Sequence, residues 1–446
     1  MRPPKRPEKR PEERPEERPE KRPEKRPEHY QAVLDRYQAE RRLPSIVAGV
    51  LSGPELAWAG TAGATTDTDT QYRIGSITKS MTALLVMQCR DDGLLHLDDP
   101  IGRFVPETGY AAATVRSLLA HVSGMQSEPV GPWWERSPGV RIEELIAAND
   151  GSGAVFNPGE HYHYSNLGYA LLGEAVARLR ARSWWSVVRE RVLDPLAMSR
   201  TSYLPEPPHA PGLSVHHLEG TLTAEPLHDT GAMAPAGQLW STLEDLSRFA
   251  AFLSAGDPAV LGEASLAEMR QPVPPAVDYG LGVRLVPYAD GVLYGHTGSM
   301  PGFQATVFAD PRTALAVVAL TNATTGFSGS ELALALLAGR TPGQMQPWVP
   351  TEVVPDWARE LLGYWHWGHS AYEVRWNDER LEWRDLAKGA LAEQFGLAAG
   401  EGRIVGLAGY HHGETLHVVR RDDGSIDHLE CATFVYTRTP YPEDHR

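Results

Sequence analysis

The stretch from Ile77 to Asp92 predicts a helix that is apolar around almost its whole circumference. Gly93 follows it as a stop signal, and its apolar side chains occupy nearly consecutive positions: Met81, Ala83, Leu84, Leu85, Val86 and Met87. A helix without a polar face is buried at the centre of a domain. The rest of the chain therefore has to surround this helix, and a polar side chain at its start is carried into the interior.

Strand patterns on both sides of this helix predict an α/β domain that begins near Tyr30. A strand, a turn and a second strand are predicted over residues 46–59, and three strands follow late in the domain. The last of them, residues 314–320, is apolar and rich enough in β-branched residues to be buried on both faces. Between the two groups of strands, helices are predicted over residues 114–121, 166–179 and 242–253. We therefore expect one α/β domain over residues 30–340 whose sheet joins the two ends of the domain.

The two ends of the chain have a different composition. Residues 6–29 repeat an Arg-Pro-Glu tetrad without any hydrophobic side chain, so we predict a disordered tail over residues 1–29. Residues 341–356 are rich in proline, which is typical of a linker. Residues 357–446 show short alternating patterns such as Tyr372, Val374 and Trp376, which predict a small antiparallel β domain.

Composition excludes several classes of protein. The only two cysteines, Cys89 and Cys431, exclude both a disulfide scaffold and a cysteine-ligated zinc site. The net charge of −15 argues against nucleic acid as the main partner, and no apolar run is long enough to span a membrane. Because the N-terminus lacks the apolar segment of a secretory signal, we expect a cytoplasmic protein.

The start of the buried helix carries the first chemical motif. Ser76 opens the helix and Lys79 follows three residues later on the same face, so the ammonium group can reach the hydroxyl. A lysine crowded into a buried helix start tends to lose its proton, which makes it a candidate base. The positive potential at the helix N-terminus also favours an oxyanion beside Ser76.

Two further motifs follow along the chain. Tyr164 and Asn166, two residues apart before a predicted helix, supply a phenol and an amide. His296-Thr297-Gly298 ends a predicted strand, and its glycine would let a substrate backbone lie close along the sheet edge. Each motif alone is also typical of an ordinary helix start, a core tyrosine or a strand-end histidine. Their occurrence together in this order favours one catalytic site.

With these motifs the chain resembles the serine β-lactamases and penicillin-binding proteins, whose signature includes Ser-x-x-Lys and a later Lys-Thr-Gly. The Tyr-x-Asn form is similar to that of class C β-lactamases, D-Ala-D-Ala carboxypeptidases and related esterases. Three further stretches resemble this branch: residues 118–125 (LLAHVSGM), 157–173 (NPGEHYHYSNLGYALLG) and 237–249 (GQLWSTLEDLSRF). The resemblance implies an antiparallel sheet flanked by helices plus an all-helical part. The C-terminal region, with its Gly-Tyr-Trp at 363–365, resembles the lipocalin-like barrel attached to some members.

The resemblance also implies roles for the motif residues. Ser76 is expected to be the nucleophile that forms an acyl-enzyme, and Lys79 and Tyr164 to act together as general base and then as acid. Asn166 is expected to hold the substrate amide. His296 is expected to complete the hydrogen-bond network around Tyr164 or the substrate carboxylate.

The same resemblance places the remaining binding groups along the third motif. Thr297 and Gly298 are expected to contact the substrate. The oxyanion hole is expected to consist of the backbone N–H groups of Ser76 and Ser299.

The histidine of the third motif bears on the choice of activity. Most β-lactamases have lysine in place of His296, whereas His-Thr-Gly is familiar among bacterial D,D-peptidases. A cytoplasmic member with a lipocalin-like domain resembles the penicillin-binding-protein-type thioesterases, which are stand-alone nonribosomal peptide cyclases. That resemblance implies a peptidyl substrate with a D-residue at its acyl end, carried as a thioester on a peptidyl carrier protein and released by head-to-tail macrolactamisation.

Two alternatives remain open at this point. The first is a D-peptide hydrolase, D,D-carboxypeptidase, esterase or β-lactamase-like hydrolase that uses the same residues with water as acceptor. The second is a non-catalytic binding or sensor protein, against which the complete set of motif residues argues.

Other residues are weaker candidates. Trp133, in a loop beside a Gly-Pro pair, is expected to line the substrate cleft, and Arg438 to hold a substrate carboxylate, although a solvated strand-end arginine is the simpler interpretation. Three histidine pairs lack companion carboxylates at metal-binding spacing: His161 and His163, His216 and His217, and His411 and His412. We therefore expect neither a metal nor a cofactor.

Overall fold

The computed structural model describes residues 27–64, 67–289, 291–338, 343, 345–398 and 402–440. The predicted disordered tail lies outside these residues up to position 26, as does part of the predicted linker at 341, 342 and 344. Residues 27–29, which were expected to belong to the tail, are part of the first helix, α1 (Pro27–Arg41). The side chains of Val33, Leu34 and Tyr37 anchor this helix in the core.

The first domain alternates strands and helices in chain order. Its strands are β1 (Ser45–Ser52), β2 (Glu55–Gly63), β3 (Tyr72–Arg73), β4 (Leu213–Val215), β5 (Leu222–Ala224), β6 (Trp240–Ser241), β7 (Arg284–Tyr288), β8 (Gly291–Met300), β9 (Phe303–Asp310) and β10 (Leu315–Thr321). Its helices after α1 are α2 (Ile77–Asp91), α3 (Val115–Leu119), α4 (Ile142–Ala148), α5 (Asn166–Arg180), α6 (Trp184–Val188), α7 (Ala234–Gly237), α8 (Leu243–Ala255), α9 (Glu263–Met269) and α10 (Gly329–Ala338).

The main sheet is antiparallel and joins the two ends of the domain, as predicted. Among the described residues its strand order is β2-β1-β10-β9-β8-β7, and Ile46 of β1 pairs with Thr321 of β10. Val47 and Leu51 pack into a core on the side of α2 and α8, whereas Ile46, Ala48 and Val50 pack on the side of α1 and α10. The sheet is therefore covered on both faces, which explains why β10 is apolar at consecutive positions.

The helical part surrounds α2. Every residue of α2 from Ile77 to Cys89 is buried, and the helix packs against α5 and α7. This confirms the prediction from its all-round apolar surface. α8 begins where its sequence predicts, because the Thr242 side chain accepts a hydrogen bond from the backbone N–H of Asp245 at 3.3 Å.

The second domain is a closed antiparallel barrel of eight strands preceded by the short helix α11 (Asp356–Arg359). Its strands are β11 (Gly363–Trp367), β12 (Ser370–Asn377), β13 (Arg380–Asp385), β14 (Ala390–Leu397), β15 (Ile404–Ala408), β16 (Thr415–Arg420), β17 (Ile426–Cys431) and β18 (Phe434–Thr437). Buried aromatic side chains such as Trp365, Trp383 and Phe395 fill its interior. The barrel confirms the expectation of a small antiparallel β domain.

The barrel contacts the first domain through the β4–β5 hairpin. The His217 side chain lies 2.5 Å from a carboxylate oxygen of Glu373 on β12, and the backbone N–H of Trp376 donates to the carbonyl of Leu218 at 2.8 Å. Gln38 of α1 additionally bonds the backbone of Trp348 in the segment before the barrel. These contacts place the barrel beside the first domain rather than over the start of α2.

Within the part of the chain that the structure describes, no helix combines the length and the apolar character needed to cross a membrane.

Candidate active site

Ser76 and Lys79 form the centre of the site at the start of α2. The Nζ atom of Lys79 lies 2.9 Å from the Ser76 Oγ atom and 2.6 Å from the backbone carbonyl oxygen of Ala236. Lys79 has no solvent exposure, and burial lowers the pKa of its ammonium from 10.5 to about 7. A large share of Lys79 is therefore neutral at physiological pH and can take the proton of Ser76.

Tyr164 lies on the other side of Ser76. The ring centroid of Tyr164 is 5.0 Å from the Lys79 Nζ atom, and its hydroxyl is hydrogen-bonded to Ser76. Burial raises the pKa of the Tyr164 phenol well above its usual value. The phenol thus stays protonated at neutral pH, which suits it to donate a proton rather than to accept one.

Two glycines bring strand β8 against the segment that precedes Ser76. Gly75 has a φ of +51°, and a Cβ atom there would lie 2.5 Å from the Ser299 nitrogen. A Cβ atom on Gly298 would lie 1.8 Å from the carbonyl oxygen of Ile74 and 3.2 Å from the Ser76 nitrogen. Gly298 was expected to make room for a substrate backbone, but its missing side chain makes room for the chain's own backbone. This packing brings the backbone nitrogens of Ser76 and Ser299 to the same place, as an oxyanion hole requires.

Asn166, the first residue of α5, is held by a carboxylate that the sequence analysis did not single out. Its side-chain nitrogen donates to Glu128 at 2.6 Å, and the second carboxylate oxygen of Glu128 accepts from the indole nitrogen of Trp134, also at 2.6 Å. The Asn166 side-chain oxygen is buried and has no partner among the described residues. This unpartnered acceptor is compatible with the expected contact to a substrate amide, but Asn166 is not among the residues that line the cavity in front of Ser76.

His296 lies in a buried chain of hydrogen bonds behind the site. Its Nδ1 atom donates to the carbonyl oxygen of Thr297, so its Nε2 atom accepts from the Tyr279 hydroxyl at 2.9 Å. The Nδ1 atom of His121 accepts a hydrogen bond from the Ser165 backbone N–H at 3.0 Å. Its Nε2 atom donates to the same Tyr279 hydroxyl at 3.2 Å. Each imidazole thus has one defined tautomer.

This chain of bonds corrects the expected role of His296. Burial lowers the pKa of both His121 and His296 well below the usual value, so both rings are neutral. Both nitrogens of His296 are bonded within the protein, and the ring centroid of Tyr164 is 6.3 Å away from that of His296. His296 is therefore a neutral positioning residue that supports the wall of the site, and neither of its nitrogens is left to bond Tyr164 or a substrate carboxylate as expected.

A cavity of about 390 Å³ opens in front of these groups. The motif residues that line it are Ser76, Tyr164, His296, Thr297, Gly298 and Ser299. Phe327 and the start of α10 line its opposite side. No barrel residue within the described ranges lines this cavity. A larger cavity of about 460 Å³, lined by Trp184, Trp185 and Tyr203, contains none of the motif residues.

Arg284 supplies the cation that the third motif lacks. This arginine begins β7, lines the same cavity, and stands 5.8 Å from the Tyr164 ring centroid. Its buried Nε–H has no partner among the described residues. Nothing in the sequence around Arg284 indicates a site, because the residue is brought there only by the pairing of β7 with β8.

Two residues expected to bind substrate do not face the cavity. Trp133 is 60% exposed and donates to Glu135 at 2.8 Å, while its neighbour Trp134 turns inward to Glu128. Arg438 belongs to the barrel, where it donates to three backbone carbonyls, of Glu360, Leu362 and Tyr364, and lies over the Trp365 ring at 3.8 Å. Its donors are committed to its own domain, so the expectation that Arg438 holds a substrate carboxylate is wrong.

Two family models match the chain, one for each domain. The beta-lactamase family matches residues 30–340, and a domain of unknown function, DUF7586, matches residues 354–438. Because the first match covers more than half of the 446 residues, the chain belongs to the beta-lactamase family of serine hydrolases, which also includes penicillin-binding proteins.

Individual relatives are distant. Beta-lactamase-like protein 2 of Dictyostelium discoideum is 28% identical over 267 residues, which are 54% of this chain and 48% of that protein, so the match spans about half of the relative's length. The D-stereospecific amidohydrolase from Streptomyces sp. superposes with a TM-score of 0.60 at 25% identity and covers 70% of this chain and 99% of its own. SurE, whose structure is also known with D-Leu, superposes with a TM-score of 0.58 at 25% identity over 92% of this chain and 98% of its own.

Proposed function

We propose that this protein is a serine acyltransferase that forms a peptidyl ester on Ser76 from a substrate with a D-residue at its acyl end. The observation that carries the proposal is the 2.9 Å contact between the Ser76 hydroxyl and the fully buried amine of Lys79, whose pKa is about 7. A serine bonded to a neutral amine in a cavity is an activated nucleophile. The D-configuration is supported by the likeness to a D-stereospecific amidohydrolase and to SurE, known with D-Leu.

The positions of the side chains around Ser76 define how the acyl-enzyme would form. Lys79 takes the proton of Ser76 while the Oγ atom attacks the acyl carbon, and the backbone N–H groups of Ser76 and Ser299 hold the negative oxygen. The bond from the acyl carbon to the leaving group breaks as the Tyr164 hydroxyl donates its proton to that group. Lys79 returns the Ser76 proton to Tyr164, so the net change is one proton moved from the serine to the leaving group.

The acceptor that we propose for the second step is the free amine of the same peptide. The peptide would arrive as a thioester on a peptidyl carrier protein and leave as a head-to-tail ring. An amine tethered to the acyl group has a high effective concentration, which favours it over water once the ester is formed.

Arg284 favours a second candidate, the hydrolysis of D-peptides that end in a free carboxylate. Its guanidinium lines the cavity with one N–H unpartnered among the described residues, and a substrate carboxylate is the natural acceptor for it. A carrier-bound thioester has no such carboxylate beside the bond that breaks. The two candidates share Ser76, Lys79 and Tyr164 and differ in the leaving group and the acceptor.

One experiment separates them. The purified protein is incubated with a peptidyl pantetheine thioester that has a D-residue at its acyl end and a free N-terminus. The masses of the products are then measured by mass spectrometry. We expect a product one water lighter than the free acid, absent with Ser76→Ala. Linear acid alone would replace the cyclase proposal with hydrolysis, and activity on a D-dipeptide end that is lost in Arg284→Ala would support the second candidate.

A further inference from the structure

Three potential metal ligands converge at one end of the barrel. His411 and Glu414 lie in the loop between β15 and β16, and Cys431 is the last residue of β17. One donor atom from each side chain lies within 4.8 Å of the other two, and this is the one such group found among the described residues. We propose that His411, Glu414 and Cys431 form a binding site for a zinc-like divalent transition metal ion.

The spacing of the donor atoms fits such an ion with small movements. The Glu414 Oε2 atom lies 2.6 Å from His411 Nδ1 and 3.8 Å from Cys431 Sγ. Ligand atoms around a tetrahedral zinc ion stand roughly 3.3–3.8 Å apart. The Cys431 sulfur and the Glu414 oxygen are already at that separation. The distance between His411 Nδ1 and the Glu414 oxygen would have to increase by less than about 1 Å.

The surroundings of His411 fix the orientation that a ligand needs. Its Nε2 atom lies 3.1 Å from the Tyr436 hydroxyl and its Nδ1 atom 2.6 Å from the Glu414 carboxylate. A metal bound at Nδ1 would replace the Nδ1–Glu414 hydrogen bond and leave the ring proton on Nε2, directed at Tyr436. The carboxylate of Glu393 accepts the backbone N–H groups of Tyr410 and His411, both at 3.1 Å. A Cβ atom on Gly406 would lie 1.9 Å from the His411 carbonyl oxygen, which shows how tightly the loop packs on β15.

The charge of the site also calls for a cation. Two carboxylates stand beside these ligands: a Glu414 oxygen lies 3.8 Å from the sulfur of the buried Cys431, and Glu393 accepts the His411 backbone N–H at 3.1 Å. A divalent ion would compensate these charges and displace the thiol proton, since the thiolate is the form that binds metal. A nitrogen and a sulfur donor select zinc, cobalt or a similar ion over magnesium or calcium.

The site has room for a fourth ligand. A cavity of about 350 Å³ reaches His411 and is lined by the aromatic side chains of Tyr372, Tyr410, Phe434 and Tyr436. Three protein ligands leave one position of a tetrahedral ion for a water molecule. The proposal departs from two sequence-based expectations. The first is that two cysteines exclude a cysteine-ligated zinc site, and the second is that the histidine pair at 411 and 412 lacks a companion carboxylate, which Glu414 supplies. The fold supplies Cys431 from a different strand, and His412 takes no part.

The experiment uses the full chain after dialysis against a chelator and under a thiol-free reductant. Co²⁺ is titrated in and the near-ultraviolet band of thiolate-to-cobalt charge transfer is recorded. We expect one equivalent to give the band and Zn²⁺ to abolish it by displacement. Cys431→Ser should lack the band, whereas Cys89→Ser, which changes the chain's other thiol in α2, should keep it.

A second variant protects the test against a folding defect. Glu414 is partly exposed, so Glu414→Gln should leave the barrel folded and weaken Zn²⁺ binding, measured calorimetrically, by at least about tenfold. The proposal is overturned if the wild-type chain gives no band at saturating Co²⁺, if Cys431→Ser keeps the band, or if Glu414→Gln binds Zn²⁺ as tightly as the wild type. None of these readouts depends on acyl transfer at Ser76.

Discussion

The side-chain amide of Asn166 donates to the carboxylate of Glu128 at 2.6 Å, and this bond turns the Asn166 oxygen toward a position without a protein partner among the described residues. Glu128 also acts on the chemistry from a distance. Its negative charge raises the pKa of Lys79, against the larger effect of burial, which lowers it. One carboxylate therefore influences both the binding of an amide and the protonation of the base.

Glu128→Gln should affect both functions. The neutral amide no longer raises the pKa of Lys79, so the rise of kcat/KM with pH should move to lower pH. Glutamine has only one side-chain oxygen, so its NH₂ group would face one of the two N–H donors that Glu128 now accepts, from Asn166 or from Trp134. One of these hydrogen bonds is lost, Asn166 is held less firmly, and KM should rise several-fold. Glu135→Gln is the matched control, because Glu135 also raises the pKa of Lys79 but does not contact Asn166. A control that raised KM equally would contradict the role of the Glu128–Asn166 bond.

The pH dependence of acylation should report Lys79. Only the neutral amine accepts the Ser76 proton, and its pKa is about 7. We therefore expect kcat/KM to increase tenfold per pH unit well below 7 and to level off above it. Lys79→Arg cannot be deprotonated in this range and should be inactive throughout. A profile that rises only above pH 9 would show that the amine is charged at neutral pH and contradict this assignment.

Tyr279→Phe should disrupt the chain of bonds from His121 to His296. Its hydroxyl is the only described partner for the Nε2 atoms of both rings, so its removal leaves one donor and one acceptor unpaired in a buried place. We expect the free energy of unfolding to fall by about 1–3 kcal/mol and kcat to fall while KM changes little. Urea denaturation and steady-state kinetics measure the two effects.

The control for that substitution is Tyr162→Phe. The Tyr162 hydroxyl is buried without a hydrogen-bond partner in the described part of the chain, although its ring contacts Tyr279. Its removal should change the free energy of unfolding by less than about 0.5 kcal/mol or raise it. Equal losses in the two variants would mean that the two hydrogen bonds of the Tyr279 hydroxyl do not account for its effect on stability.

Arg438→Ala should lower stability without lowering activity. The substitution removes three hydrogen bonds to the backbone around β11 and the stacking on Trp365. We expect the melting temperature of the barrel to fall and kcat/KM for acylation to stay within about twofold. A large rise in KM with an unchanged melting temperature would restore a substrate-binding role for this arginine.

The sequence predicts the fold well where the pattern of apolar residues directly reflects burial. The all-round apolar surface of α2 and the consecutive apolar residues of β10 each follow from burial on every side, and the structure confirms both. The start of α1 was missed because its turn-forming Arg-Pro-Glu repeat continues into the helix. Only packing of Val33 and Leu34, which lie further along, determines that the helix forms.

Contacts between site residues on the same helix or strand can be predicted from the sequence, whereas contacts between residues on different elements cannot. Ser76 and Lys79 are three residues apart on one helix, so their contact follows from helical geometry. Glu128, Arg284 and Tyr279 come from a loop, a strand start and an irregular segment, and only the tertiary fold brings them to Ser76. For the same reason the sequence does not show that Trp134 turns inward to Glu128 while its neighbour Trp133 stays exposed, since the direction of a loop side chain is not encoded in local periodicity.

The most direct test of the account is whether a D-configured acyl group becomes attached to Ser76. The protein is mixed with the peptidyl pantetheine thioester and the reaction is quenched in acid within the first turnover. The mass of the intact protein is measured by mass spectrometry, and the modified peptide is then identified by peptide mapping. We expect one adduct with the mass of the acyl group on the peptide that contains Ser76, a much smaller one with the L-epimer, and none with Ser76→Ala. An adduct that persists in Ser76→Ala, or turnover without Ser76, would contradict the central claim.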